Sequence, residues 1–417
     1  MKSIVSATFE QISNLRNNPA GKSLIILHTL DCIGTGLYFG TGILFLINIL
    51  GRSAVEVGVA LSIGAFAGFV GNYGSGKLAD SIDRRLLLSI LLTMLGIMYF
   101  GLYIVNSFSL LIVWSAVTSA LKFACTPPFV ALISTHFSGQ GRAEGRALVR
   151  TAGNLGMSLG SGISVVLLLI FKDNFLVMAP SLDAISFFIA GVICYFFVGK
   201  SASSSTNPGR PDEKRLARSI WNRRFLVVVI MTGVLALHSS LLGVGMGLLV
   251  SSSDVIPDVI LPLSVFLNTV IVIVFQVGVT RVTASTSHQV ILWSSRAGYL
   301  LALAVFIFGV ASVLNMQSLV VPIFIFAVII ATVSEIVQNS SFFFLGVETG
   351  PDERRAEIAG AFQASHIGES LVGPVMWGLL FSGTNTIWIL SVVIFTIILV
   401  SAFYPRWVKS ILNEKSH

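Results

Sequence analysis

Apolar runs of about 20 residues recur from one end of this chain to the other, and no other feature limits its fold so strongly. A helix of that length crosses a hydrocarbon core of about 30 Å. The same runs cannot be hidden in water, because the 417 residues carry only 26 Lys and Arg and 19 Asp and Glu from which to build a polar shell. Mean hydropathy is +0.89 and 30 residues are Phe, far outside the soluble range. The expected fold class is therefore an all-α integral membrane protein.

Hydropathy places spans near 24–48, 54–73, 86–105, 108–134, 146–171, 179–199, 224–250, 257–279, 290–313, 318–345, 359–382 and 385–404, which makes twelve transmembrane helices. Basic residues sort by side. The N-terminal segment, 74–85, 136–150, 200–224, Arg281, Arg354 with Arg355, and the C-terminus hold nearly all of them. The intervening connections hold only Arg52 and Lys172, while Lys122 and Arg296 fall inside spans. The positive-inside rule then puts both termini in the cytoplasm, and the cell's inner (plasma) membrane is the expected location. The net charge of +7 follows from topology and anionic lipid headgroups, so no nucleic-acid partner is expected.

Residues 200–223 form the one long polar connection, rich in Ser, Pro and charge, and they part six spans from six. The expected organisation is a cytoplasmic segment 1–23, a six-helix bundle 24–199, a linker 200–223, a second bundle 224–404 and a tail 405–417. The first 23 residues lack an apolar core of the signal-peptide kind. Sliding the chain by 212 residues sets "LGMSLGSG" (155–162) over "IGESLVGP" (367–374), with identities at Gly156/Gly368, Ser158/Ser370 and Leu159/Leu371. That match pairs span 5 with span 11, as two related halves require.

Charge in an oily chain demands a reason, and "GKLADSIDRR" between spans 2 and 3 concentrates it. Twelve spans, the central polar connection, the half-to-half match and this loop together resemble the major facilitator superfamily of secondary transporters, specifically its drug/proton antiporter branch. The superfamily's loop signature has the form G-x-L-a-D-r-x-G-r-r. The chain supplies Gly76, Leu78, Ala79, Asp80, Arg84 and Arg85, and departs from it at Ser81 and at Asp83, where Gly is usual. The resemblance implies a gating loop in which Asp80 accepts from backbone N–H groups at the start of span 11 or from a nearby Arg, holding the cytoplasmic side closed. The plainer alternative is that Lys77, Arg84 and Arg85 only anchor the loop to headgroups.

Ionisable side chains deep in spans cost roughly 2.5 to 3.5 kcal/mol or more each, so those that persist mark function. Asp31, Lys122, His238 and Glu335 lie in spans 1, 4, 7 and 10, which the resemblance implies line the central cavity. Asp31 and Lys122 are expected to neutralise one another, for coupling or as a purely structural tie, and Pro127 with Pro128 to bend span 4 beside them. Glu335 has no in-span partner except His238, which suits a proton carrier, although His238 could equally tie one helix to its neighbour. Glu369 is a further candidate carboxylate. Arg150, Asp183, Arg296 and Glu56 are read as interfacial, near span ends. Glycines 153, 156, 160 and 162 suit close helix packing; Gly156 and Gly160 also match part of a glycine motif of superfamily exporters, in which Ser161 replaces the usual Pro.

Cys32, Cys125 and Cys194 lie in apolar runs with neither disulfide nor metal spacing, so no metal and no cofactor is expected. No phosphate-cradling loop and no hydrolase or metalloprotease motif occurs, which argues against an enzyme. The sequence thus points to a monomeric, proton-coupled transporter that exports a drug-like or toxic small molecule. Two alternatives stay open: a proton symporter taking up a small metabolite, and a non-transporting membrane sensor of the same fold.

Overall fold

A computed structural model describes residues 19–137, 141–199, 223–283, 286–348, 355–382 and 386–413. The described residues are helical with short connections. The helices are α1 (Pro19–Phe39), α2 (Ala54–Ser81), α3 (Arg84–Phe100), α4 (Phe108–His136), α5 (Gly141–Phe171), α6 (Asp173–Phe197), α7 (Phe225–Ser251), α8 (Ile260–Thr283), α9 (Ser287–Val313), α10 (Gln317–Glu348), α11 (Arg355–Leu380) and α12 (Thr386–Asn413). Among the described residues, ten helices are long and apolar enough to cross a membrane, or eleven if α1 and the bent segment Gly42–Ile49 count as one span. The expected span 359–382 is not among them. Helix α11 forms there, yet its first half carries Arg355, Glu357, Gln363, His366 and Glu369 and falls short of span-like apolarity.

Side chains such as Phe66, Val70, Ile97, Leu169 and Phe395 are exposed on these helices, an outer surface that only lipid tolerates. The expected linker 200–223 lies outside the described residues except for Arg223, as do residues 1–18. The helix over 405–413 continues α12 where a tail was expected.

The chain divides into two compact units, Met1–Phe45 with Ile63–Asn207, and Leu46–Ser62 with Pro208–His417. In the first, α1 packs against α5 and α6, and α3 against α6 and α4. Its core joins Leu24 and Leu27 of α1, Leu88, Leu92 and Leu95 of α3, Leu132 and Ile133 of α4, and Phe187 of α6. Glycines let these backbones close. A Cβ at Gly71 would overlap the carbonyl of Ala120, and one at Gly160 would overlap that of Ile33.

Helix α4 is broken at Cys125, between segments Phe108–Ala124 and Thr126–His136. The reason is local: Pro127 and Pro128 have no N–H to give to Phe123 and Ala124, four residues back. Helix α2 supplies the missing donors. Asn72 Nδ2 donates to the Phe123 carbonyl at 3.1 Å and Ser75 Oγ to that of Ala124 at 2.6 Å. Each such bond contributes about 1 kcal/mol, and together they hold open a kink one turn from Lys122.

In the second unit α9 packs against α10 and α12, α8 against α10, and α7 against α11 and α12. Phe225, Val228 and Leu235 of α7 meet Val290 and Ile291 of α9 and Tyr404 and Val408 of α12. Helix α7 is loosened by a π-helical turn at Leu241–Gly245. The start of α2 also belongs here. It opens with a capping box, Ser53 N donating to Glu56 Oε2 (2.9 Å) and Glu56 N to Ser53 Oγ (3.2 Å), so Glu56 acts as a helix cap. Gly58 and Ser62 then reach α11, where Val375 N donates to Ser62 Oγ at 3.2 Å.

Candidate functional site

In the first unit, helical spacing sets His28, Asp31, Cys32 and Thr35 along one face of α1. Lys122 approaches from α4 just before its break. Its Nζ lies 3.2 Å from Asp31 Oδ1 and 3.0 Å from Thr35 Oγ1, and 4.5 Å from the centre of the Phe187 ring. The pair is not sealed: the Lys122 side chain is 38% exposed and that of Asp31 16%. An ammonium shared between two partners on a partly exposed side chain can shift between them, which a fully buried ion pair cannot do cheaply.

Asp183 overturns its interfacial reading. It sits ten residues into α6, only 1% exposed, against Gly34 of α1, where a Cβ would lie 2.7 Å from its Oδ1. Ser186 Oγ, 3.3 Å from Oδ1, is its hydrogen-bond donor, and Oδ2 is buried with none. The charges acting on it are those of Lys122 and Asp31. Sequence reasoning missed Asp183 because its span was drawn from 179, which put the residue near an end; the helix begins at Asp173. Asp183→Asn, which keeps the shape and removes the charge, is expected to melt no lower than the wild type in detergent. A midpoint several degrees lower would show an ionised carboxylate stabilised by Lys122 instead.

In the second unit Glu335 and His238 are not hydrogen-bonded to one another. Glu335 Oε2 accepts from Asn268 Nδ2 at 2.8 Å, and the same amide reaches Thr332 Oγ1 at 3.0 Å. The polar seam between α8 and α10 continues through Gln276, Thr280 and Ser340, with Thr280 Oγ1 2.7 Å from Ser340 Oγ. His238 is fully buried in α7, its Nδ1 donating to the Leu235 carbonyl at 3.0 Å while Nε2 has no hydrogen-bond partner. His366 of α11 is the titratable group that acts on it.

Glu369, also on α11, is buried and accepts from Ser370 Oγ at 3.2 Å and from Ser240 of α7. Ser240 Oγ in turn accepts from Trp377 Nε1 at 3.0 Å. A cavity of about 260 Å³ opens on this node between Val229, Gly233, Leu237, Ser365, Glu369 and Val372. The structure therefore groups the predicted residues as Asp31 with Lys122, Glu335 with Asn268, and Glu369 with Ser240, with His238 beside α11.

Residues 24–368 match the sequence profile of the Major Facilitator Superfamily. The chain belongs to that superfamily. Membership gives it a multi-pass membrane transporter fold and a small-molecule substrate, and argues against an enzyme. Solved superfamily structures agree in fold. The nucleoside transporter NupG superposes with a TM-score of 0.69 at 16% identity, over 95% of this chain and 99% of that one. A POT family transporter in complex with 5-aminolevulinic acid gives 0.70 at 14% identity, over 93% and 96%. A bacterial homologue of the human lysosomal transporter Spinster, inward-facing and occupied, gives 0.67 at 11% identity, over 94% of each chain. No curated protein sequence matches the chain significantly.

The superfamily loop takes a form that the sequence did not suggest. Gly76 and Asp80 are not in a loop, because α2 runs on to Ser81. Only Ile82 and Asp83 separate it from α3, and Asp83 is the N-cap: its carboxylate accepts from Arg85 N at 3.0 Å. A capping carboxylate thus does the work of starting α3 where the usual Gly would make a turn. Arg84 Nε donates to the Ala79 carbonyl at 3.2 Å, closing α2, and Arg85 Nη1 donates to the Tyr195 carbonyl at 3.0 Å, tying α3 to the end of α6. On α5, Gly153, Gly156 and Gly160 all face α1, and Gly162 is half-buried.

Proposed function

We propose that this protein is a proton-coupled secondary transporter of the inner membrane that exports an amphipathic, drug-like small molecule by alternating access. In this reading twelve spans form two six-helix bundles with both termini cytoplasmic, and Asp80 latches the cytoplasmic side. One observation carries the coupling: Lys122 Nζ is shared between Asp31 and Thr35, on a side chain that is not sealed away. A proton arriving on Asp31 removes the charge that holds Lys122. A cationic cargo competes with that proton for the Asp31 carboxylate, and competition for one site is what antiport requires. Glu335, which accepts from the Asn268 amide, is the second proton carrier.

Uptake by symport is the second reading. It draws support from solved neighbours described as nucleoside and POT family transporters. An anionic cargo would then bind Lys122 only after Asp31 is protonated, so proton and cargo would enter together.

Everted vesicles with an imposed pH gradient separate these. Export predicts that cationic dyes accumulate in wild-type vesicles and release protons from the lumen, and that Asp31→Asn and Glu335→Gln abolish this. Proton flux and accumulation unchanged in both variants would refute the coupling. Growth on single nutrients in place of toxin resistance would favour symport.

A further inference from the structure

Three metal-ligating side chains converge beside the Asp31–Lys122 pair. A ring nitrogen of His28, a carboxylate oxygen of Asp31 and Cys32 Sγ all lie within 4.8 Å of one another. They sit at positions i, i+3 and i+4 of α1, where helical geometry stacks side chains on one face. A tetrahedral ion with bonds of about 2.0 to 2.3 Å needs ligand atoms roughly 3.3 to 3.8 Å apart, so small rotamer changes suffice. Cys32 Sγ is already 3.7 Å from His28 Nε2.

Glycines of α5 pack directly against the cluster, where any larger residue would collide with the ligands. A Cβ at Gly153 of α5 would stand 2.8 Å from His28 Nε2 and 3.4 Å from Cys32 Sγ, and one at Gly156 would stand 2.9 Å from Cys32 Cβ. Phe129 lies against the other side of the imidazole, ring centres 4.9 Å apart. All three ligand residues are half-buried, hence reachable. Lys122 engages Asp31 through Oδ1, which leaves Oδ2 for a metal.

We propose that His28, Asp31 and Cys32 form a three-ligand site, with an open fourth position, for a borderline divalent transition ion of the Zn²⁺ or Co²⁺ class. One thiolate, one imidazole and one carboxylate select such ions over Mg²⁺ and Ca²⁺, which prefer all-oxygen shells. On binding, the Cys32 S–H bond gives its proton to water, a metal–sulfur bond replaces it, and water fills the fourth place. The site gains one net positive charge, which draws Asp31 away from Lys122. This inference does not depend on which cargo the transporter carries.

The test titrates the full-length protein in detergent micelles with Co²⁺ alone and reads the near-ultraviolet thiolate-to-cobalt absorption. The expected result is a saturable band at one ion per chain, lost in Cys32→Ser and retained in the Cys125→Ser/Cys194→Ser variant. Affinity should fall at least about tenfold in His28→Ala and rise about tenfold in Lys122→Met, where a repelling charge is gone. A second measurement needs no variant: Zn²⁺ should slow alkylation of Cys32 at least about tenfold and leave Cys125 unaffected. A band that survives Cys32→Ser, no band in monodisperse protein, or equal alkylation with and without Zn²⁺ overturns the site.

Discussion

Replacing Gly160 with Leu should leave almost no folded protein, while replacing Gly76 with Ala should leave the melting point unchanged or slightly raised. Both are glycines in long helices, and both belong to motifs that stand out in the sequence. What differs is the space at the Cα. A Cβ at Gly160 would overlap the carbonyl oxygen of Ile33 and stand 2.9 Å from Leu37 N and 3.0 Å from Gly36 Cα. All three are backbone atoms of α1, so no flexible side chain can yield. Gly36 reciprocates, with 3.1 Å between its Cβ position and Met157 Cα. Inserting a Leu there must push α1 off α5, at more than about 3 kcal/mol, a large part of a marginal total stability. Gly76 has nothing within 4 Å of its Cβ position, so Ala there gains helix propensity at no steric cost. Gel filtration and thermal melting in mild detergent read both variants. Monodisperse Gly160→Leu protein with a wild-type melting point would mean that α1 and α5 do not approach as described.

The contrast shows what a sequence can and cannot reveal here. The membrane-spanning, all-helical character was legible because about 20 apolar residues in a row have few other uses. The number of spans was less so, since a segment whose sequence holds Gln363, His366 and Glu369 is polar by composition, and its packing against α7 and α12 makes it part of the fold. Lys122 and Asp31 drew notice because charge inside an apolar run is expensive. Asn268 did not, although it holds Glu335 at 2.8 Å, because a neutral amide costs less and raises no alarm in a hydropathy profile. His28 and Cys32 escaped for a related reason. Their spacing from Asp31 is an ordinary helical one, and a ligand set emerges only once α5 presents glycines opposite it. The reading of 76–85 as a loop failed on its chemistry. Charges there cap and close helices through Asp83, Arg84 and Arg85, and helices tolerate such charges at their ends.

A double-mutant cycle on Asp31 and Lys122 should separate stability from transport. Asp31→Asn leaves the Lys122 ammonium with Thr35 and the Phe187 ring, and Lys122→Met leaves the Asp31 carboxylate without its donor. Each single change removes a partner from a charge that is largely withdrawn from water. Because Lys122 keeps 38% of its side chain exposed, solvent takes over part of the lost interaction. The expected loss is therefore about 1 to 2 kcal/mol for each single variant, below the roughly 3 to 5 kcal/mol of a fully buried pair. The double variant Asp31→Asn/Lys122→Met carries no charge at either position and should recover to within about 1 kcal/mol of the wild type, a coupling energy of about 1 to 4 kcal/mol. If Asp31 exchanges the proton, as proposed, proton-driven transport should be absent from all three. Thermal melts in detergent measure the first quantity and pH-gradient-driven accumulation in vesicles the second. Strictly additive losses in stability would mean that the two side chains share a location without sharing energy, and transport surviving in the double variant would move the exchange of protons to Glu335 or Asp183.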